Sequence, residues 1–338
     1  MNMKRSIVLI VLVLVLAAAL FAAGSTETAG VAAKPVVLKI SIAETSTDIK
    51  AGILKDLVAE VEAATQGRIK FEIYYSNELG SLADVTEQMV MGGNILAGTS
   101  GDFYANYGSP DIMATALFYV FPSADTVQKF NDSALFKKMA DDIEKTSGLK
   151  MLCMNWASAP RSVLSTKPVT SAANLKNLKI RVPGAAAGSF FQALGSATES
   201  MPFSEIYTAM SQGVLEACEA PLSTLFSYSL HEVAKNIYLS EHSLAPSCWA
   251  MSAAIFNSLS AADQKTLQDA MVKYGRIFTQ KGLETQASYR AKMEAAGVKF
   301  TVPSAQDVET LKLAGKASFN LFPNITKGLY DQIAAIIY

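Results

Sequence analysis

From Ser260 to about Ala296 the chain keeps a helical pattern without a break. Ser260-Ala261-Ala262-Asp263 marks its start, a hydroxyl followed three residues later by an acid. Thirty-odd helical residues stretch roughly 50 Å, more than one small domain is wide. The segment therefore predicts two lobes with one helix laid across both. Gly275 and Gly282 are where such a helix would bend.

The rest of the chain alternates strands and helices. Val36 to Ile42 is a β-branched run and reads as a strand. A helix follows, with Asp48 near its start and Ile49, Ile53, Leu57, Val61 and Ala64 on one face. Arg68 to Tyr74 alternates polar with apolar, Leu82 to Met91 is helical, and Ile95-Leu96-Ala97 is a short buried strand. A second set has strands at Leu149–Met154, Leu178–Val182 and Trp249–Phe256. Its helices are Ala187–Leu194 and Ser204–Gln212, and it ends with Val298–Val302 and a helix capped at Ser304. Repeated β-α-β units demand crossover connections and a largely parallel sheet, whose ligands sit beyond the strand carboxyl ends. No internal repeat is evident.

The N-terminus reads as an address. Lys4 and Arg5 precede an apolar stretch from Ile7 to Leu16, and the small residues Ala17 to Ala19 and Ala22 to Ser25 supply an exit. Residues 1–24 are expected to be a cleaved signal peptide, with an uncleaved membrane anchor as the alternative, since Ser6 to Ala23 is nearly long enough to span a bilayer. Residues 25–35, rich in Thr, Ala and Gly, form a tether. The expected localisation is periplasmic. At 50% hydrophobic and 17% charged the chain is no disordered tail, and a net charge of −1 supplies no basic field for nucleic acid. Cys153, Cys218 and Cys248 are too few for a disulfide scaffold and read as buried small hydrophobes, although one pair could oxidise.

The inventory of chemistry is mostly negative. There is no nucleophile elbow, zinc motif, Walker loop or dinucleotide fingerprint. His231 and His242 read as structural, and Glu205, Glu216 and Glu219 are acids whose separation is unknown. No catalytic residue, metal or cofactor is expected, and an exported enzyme is the disfavoured reading. The positive features are Arg161 and Arg181, each near a proline in apolar surroundings. Arg181 ends a strand, where a guanidinium fork can meet a carboxylate; a structural ion pair to a glutamate is the alternative. Phe203 and Trp156 are core residues by type, although both also count among the candidate ligand contacts.

Longer stretches carry a resemblance. Gly67 to Tyr74 with Asn77-Glu78-Leu79-Gly80, and Asn174-Leu175-Lys176-Asn177-Leu178-Lys179-Ile180-Arg181-Val182-Pro183, resemble the DctP-type solute-binding proteins of tripartite ATP-independent periplasmic (TRAP) transporters. Ala193 to Ser196, Met201 to Met210 and Gln212 to Glu216 continue the likeness, which covers nearly all of the chain from Val36 onward. It implies an α/β, type II-like periplasmic-binding-protein fold with hinge strands, the long helix spanning both lobes. Lobe I would be 36–158 and 246–285, and lobe II 159–245 and 286–338. It implies a monomeric receptor that closes on a small organic acid and hands it to TRAP permease subunits.

The family's carboxylate-binding arginine falls on Arg181, a second arginine on Arg161 and an aromatic pocket wall on Phe203. Looser implied positions are Glu44, Ser46, Ser81 and Ser100, with Gly184 and Ala185 approaching the ligand through their backbone. The family asparagine is replaced by Ala220 in Glu216-Ala217-Cys218-Glu219-Ala220-Pro221. A lost hydrogen bond to a charged ligand costs roughly 1.5–3 kcal/mol, which motivates an alternative: a receptor for an apolar or lipid-like ligand, working with an accessory periplasmic protein.

Overall fold

A computed structural model of the chain describes residues 34–338, so the expected signal peptide and the expected tether up to residue 33 lie outside the described residues. Two sheets organise the rest. The first has the order β2-β1-β3-β10-β4, built from β1 (Val36–Ser41), β2 (Ile69–Tyr74), β3 (Ile95–Thr99), β4 (Leu149–Trp156) and β10 (Ser247–Ser252). The second has the order β11-β9-β5-β8-β6-β7. Its strands are β5 (Arg161–Ser165), β6 (Lys179–Val182), β7 (Ala197–Ser200), β8 (Ala217–Pro221), β9 (Asn236–Tyr238) and β11 (Lys299–Thr301).

The parallel expectation holds only in part. β1 pairs in parallel with β2 and β3, and β6 with β7 and β8. β10 runs antiparallel to both of its neighbours, and so does β5. The reason is the chain path. β4 leaves the first sheet to become β5 of the second, and β9 returns to the first as β10. Each sheet thus gains a strand fed from the other lobe rather than by a helical crossover. The two crossing segments are bonded to each other: Ser158 N–H donates to Leu244 O at 2.7 Å and Arg161 N–H to Ser243 O at 2.9 Å.

Helices follow the expected spacing. α1 (Ile49–Ala64) is capped by Asp48, whose carboxylate accepts from Lys50 N–H at 2.9 Å, and α2 (Leu82–Val90) by a Ser81/Asp84 capping box. α3 (Ala124–Asn131) and α4 (Ala134–Ser147) lead into β4, whereas α5 (Ala185–Ala193) follows β6 and α6 (Ile206–Ser211) follows β7. α7 (Leu222–Ser227) and α8 (Leu230–Val233) link β8 to β9. The expected strand Trp249–Phe256 stops at Ser252, and Ala253–Ser258 is helix α9; short apolar runs carry no periodicity that separates the two.

α10 is a continuous helix from Ala261 to Ala295, with Ser260 Oγ accepting from Asp263 N–H at 3.1 Å. Its first half packs Leu267, Met271, Tyr274 and Phe278 into the core of the first sheet, and Met293 joins a core of the second. Gly275 is a point of close approach rather than a bend. A Cβ there would lie 2.4 Å from Asn155 Oδ1 and 2.7 Å from the Trp156 ring. α11 (Ala305–Ser318) lies on α5, and the chain then turns back. Helix α12 (Leu329–Ile337) puts Leu329, Ile333 and Ile337 beside Phe130 in the first-sheet core. The stretch assigned to lobe II as 286–338 therefore divides: the apolar stripe of α12 covers a face left open by α3.

Candidate functional site

A cavity of about 340 Å³ opens where strands of both sheets end, the place that open α/β sheets reserve for ligands. Loops after β1 and β3, with the starts of α1 and α2, make one wall; β5, β6 and the loops after β7 and β8 make the other.

On the second-sheet wall, Arg181 is 4% exposed. Its Nε and Nη2 both donate to the Met201 carbonyl, at 2.9 and 2.7 Å, and its guanidinium lies 5.1 Å from the centroid of the Phe203 ring. Among the described residues no carboxylate pairs with it. Burial draws its pKa down to about 10, opposed by the charge of Glu219 and helped by Arg161. It remains a cation at neutral pH, desolvated and with no carboxylate bonded to it.

Arg161, on β5, is bound differently. Nε and Nη2 grip both carboxylate oxygens of Glu219, the latter at 2.6 Å, and Nη2 also donates to the Glu219 carbonyl at 2.9 Å. Burial opposes the Arg161 charge, but Glu219 outweighs it and holds the pKa up. Glu219 is itself fully buried. Burial would raise its pKa, yet Arg161 and His242 pull it down to about 2. His242 stands 3.1 Å from Glu219 through Nε2 and 2.8 Å from Ser240 Oγ through Nδ1. Its ring packs beside Phe118, Phe190 and Phe191, and burial lowers its pKa. A neutral imidazole facing an acceptor-only carboxylate carries its proton on Nε2.

The first-sheet wall brings acids. Lys50 pairs with Glu44 and sits 5.5 Å from the Phe278 ring centroid. Asp48 Oδ2 accepts from Thr224 Oγ1 of α7 at 3.1 Å, and Tyr228 O–H donates to Ala43 O, so both contacts cross the cavity between the sheets. Burial, then Glu44, raises the Asp48 pKa to about 6. Asp102 lies in the turn after β3, and burial raises its pKa as well. Among the described residues no three His, Cys, Asp or Glu side chains converge as a metal site.

Six expected positions line the cavity: Arg181, Arg161, Phe203, Glu44, Ser81 and Ser100. Five do not. Ser46 is exposed on the loop before α1. Trp156 is fully buried, donates to Met271 O at 2.8 Å and packs against Trp249 and Phe278. Ala220 is fully buried among Leu164, Ile206 and Leu222, because strand alternation turns it to the face opposite Glu219. Gly184 faces Asp102, and Ala185 is exposed at the start of α5. Lys50, Asp48 and Asp102 were not anticipated. Lys50 had a signal: with Ile53, Leu54, Leu57 and Val61 it occupies the buried stripe of α1, where a lysine needs a partner. All three cysteines are buried and free.

Comparison with known proteins gives the family and the fold. The DctP family model, bacterial extracellular solute-binding protein family 7, matches residues 40–322. The sialic acid-binding periplasmic protein SiaP of Vibrio cholerae is 26% identical over 306 residues, covering 88% of this chain and 92% of the relative. The 2,3-diketo-L-gulonate-binding periplasmic protein YiaO of Escherichia coli is 29% identical over 288 residues, covering 83% and 85%. A TRAP periplasmic solute binding protein from Ochrobacterium anthropi, solved with bound L-fuconate, has a TM-score of 0.84 and 25% identity, covering 90% of this chain and 100% of that one.

Proposed function

This chain belongs to the DctP family of bacterial extracellular solute-binding proteins, the periplasmic receptors of TRAP transporters, which bind solutes rather than transform them; from that premise we propose that it captures a small organic acid whose carboxylate pairs with Arg181. The observation that carries this reading is charge balance. Arg161 has Glu219, whereas Arg181 has one carbonyl and an aromatic face, so an anion entering the cavity meets a buried cation with free donors. That the three relatives are named for, or hold, sialic acid, diketogulonate and fuconate supports an acid as the solute.

Capture works by closure. A ligand touching Arg181 on one wall and the first-sheet loops on the other favours the closed arrangement by its differential contacts. The segments 157–160 and 239–246, tied to each other between the sheets, are the hinge, and a TRAP permease receives the solute. Two features motivate the apolar-ligand alternative, Ala220 and the low charged fraction; of these Ala220 is fully buried in the core and does not line the cavity. A thermal-shift screen over organic acids tests the proposal. A ligand at 100 times its dissociation constant stabilises the fold by about 2.7 kcal/mol, and a screen in which apolar neutral compounds stabilise the protein while acids do not would overturn it.

A further inference from the structure

Helix α7 is short, yet it is tied to both sides of the cavity. Phe226 fixes it to the far half of α10, its ring centroid 5.7 Å from that of Tyr289 and 5.7 Å from the Lys292 ammonium. Two other side chains reach the first-sheet wall. Thr224 Oγ1 donates to Asp48 Oδ2 at 3.1 Å, across 176 positions of sequence, and Tyr228 O–H donates to the Ala43 carbonyl, across 185. The Tyr228 ring has a further neighbour. Its centroid lies 4.7 Å from that of Phe203, the ring beside the Arg181 guanidinium. A line of contacts therefore runs from the arginine through Phe203 and Tyr228 to a carbonyl just beyond β1.

Both ends of this bridge are braced by unusual backbone. Ser229, directly after Tyr228, takes φ +55° and turns the chain sharply behind the tyrosine. On the receiving side Ser76 and Asn77 stand at φ +50° and +62°. Ser76 N–H donates to Glu44 O at 2.9 Å and Asn77 N–H to Ile42 O at 3.3 Å, which pins the loop that presents Ala43. Left-handed residues with side chains are costly and persist where the surrounding structure over-determines them. Tyr228 itself lies outside the cavity lining, so it acts on a solute through its neighbours. Resting on the reading that closure captures an acid at Arg181, we propose that Tyr228 is a positioning residue: its ring supports the Phe203–Arg181 platform, and its hydroxyl latches that platform to the first-sheet wall. The latch is made only when the walls meet. It therefore slows release of the solute without choosing among solutes.

Surface plasmon resonance with L-fuconate and hexanoate separates association from release. Tyr228→Phe keeps the ring and removes the hydroxyl. It should raise the release rate about fivefold for both acids, with the association rate and the ligand-free melting temperature unchanged. Thr224→Val should do the same, and Thr224→Ser, which keeps the donor, should release at the wild-type rate. Closure is read directly by pulsed electron resonance between nitroxides at Lys55→Cys and Lys176→Cys, exposed positions beside the first and the second sheet; the native cysteines are buried. Tyr228→Phe should enlarge the open population, whereas Arg181→Ala should abolish binding of both acids and leave the ligand-free distances as they are. Unchanged release and unchanged distances in Tyr228→Phe overturn the latch and leave the acid reading standing, and a loss confined to one acid overturns it too, as the mark of a direct ligand contact. If neither acid binds the wild type, the acid reading falls and the distances alone decide the latch.

Discussion

Arg161 and Arg181 sit on strands that flank β8 and line one cavity, yet their electrostatic situations are opposite. Arg161 is locked to a fully buried glutamate that a neutral histidine also contacts, and its charge is spent inside the protein. Arg181 is more deeply covered and has no acid. The difference teaches that burial alone does not mark a binding arginine. On the proposed reading, what marks it is burial without an acid of its own, the balancing charge arriving with the solute.

The comparison breaks most readily at Arg181. Arg181→Ala should cost a carboxylate ligand about 3–5 kcal/mol, several hundredfold or more in affinity, while the ligand-free melting temperature is held. Arg181→Lys should lose much of the same energy, because an ammonium cannot reproduce the fork. Wild-type affinity in calorimetry of either variant would erase the distinction. Glu219→Gln acts on the other member. It strands the Arg161 charge, and urea unfolding should register a stability loss of about 3 kcal/mol.

Acid titration sharpens the contrast between the walls. Glu219 has a folded pKa depressed to about 2 from 4.5, so its stabilisation is present above the upper value and is lost as pH falls toward the lower. Melting temperatures followed down this window should drop in the wild type and flatten in Glu219→Gln. The smallest effect is expected at Asp48, where the sign reverses. Its pKa is raised from 3.8 to about 6, so its contribution is present below 3.8 and is lost as pH rises through 6. Asp48→Asn keeps an acceptor for the α1 cap and should remove that slope from the same titration.

Much of the fold was legible because periodicity is local. The cap at Ser260, the length of α10 and the alternation of β2 are properties of neighbouring residues, and they hold. Legibility failed where neighbours were silent. Trp249–Phe256 has no period to divide strand from helix, and the apolar stripe of α12 does not say which lobe it covers. In the site, the position of Arg181 near a strand end and of Phe203 at the start of a helical turn could be read directly. Trp156 and Ala220 could not be sorted, since the face a strand residue takes depends on what packs against each side.

The sequence by itself determined a chain of alternating elements, a helix too long for one lobe and an arginine, Arg181, at a strand end, all consequences of backbone geometry within a few residues. Only the tertiary structure decided which arginine stays unbalanced. Glu219 lies 58 positions from Arg161 and His242 a further 23 beyond Glu219, and their meeting is set by strand register and chain crossing. Electrostatic compensation acts through space, and a sequence records charges without recording distances.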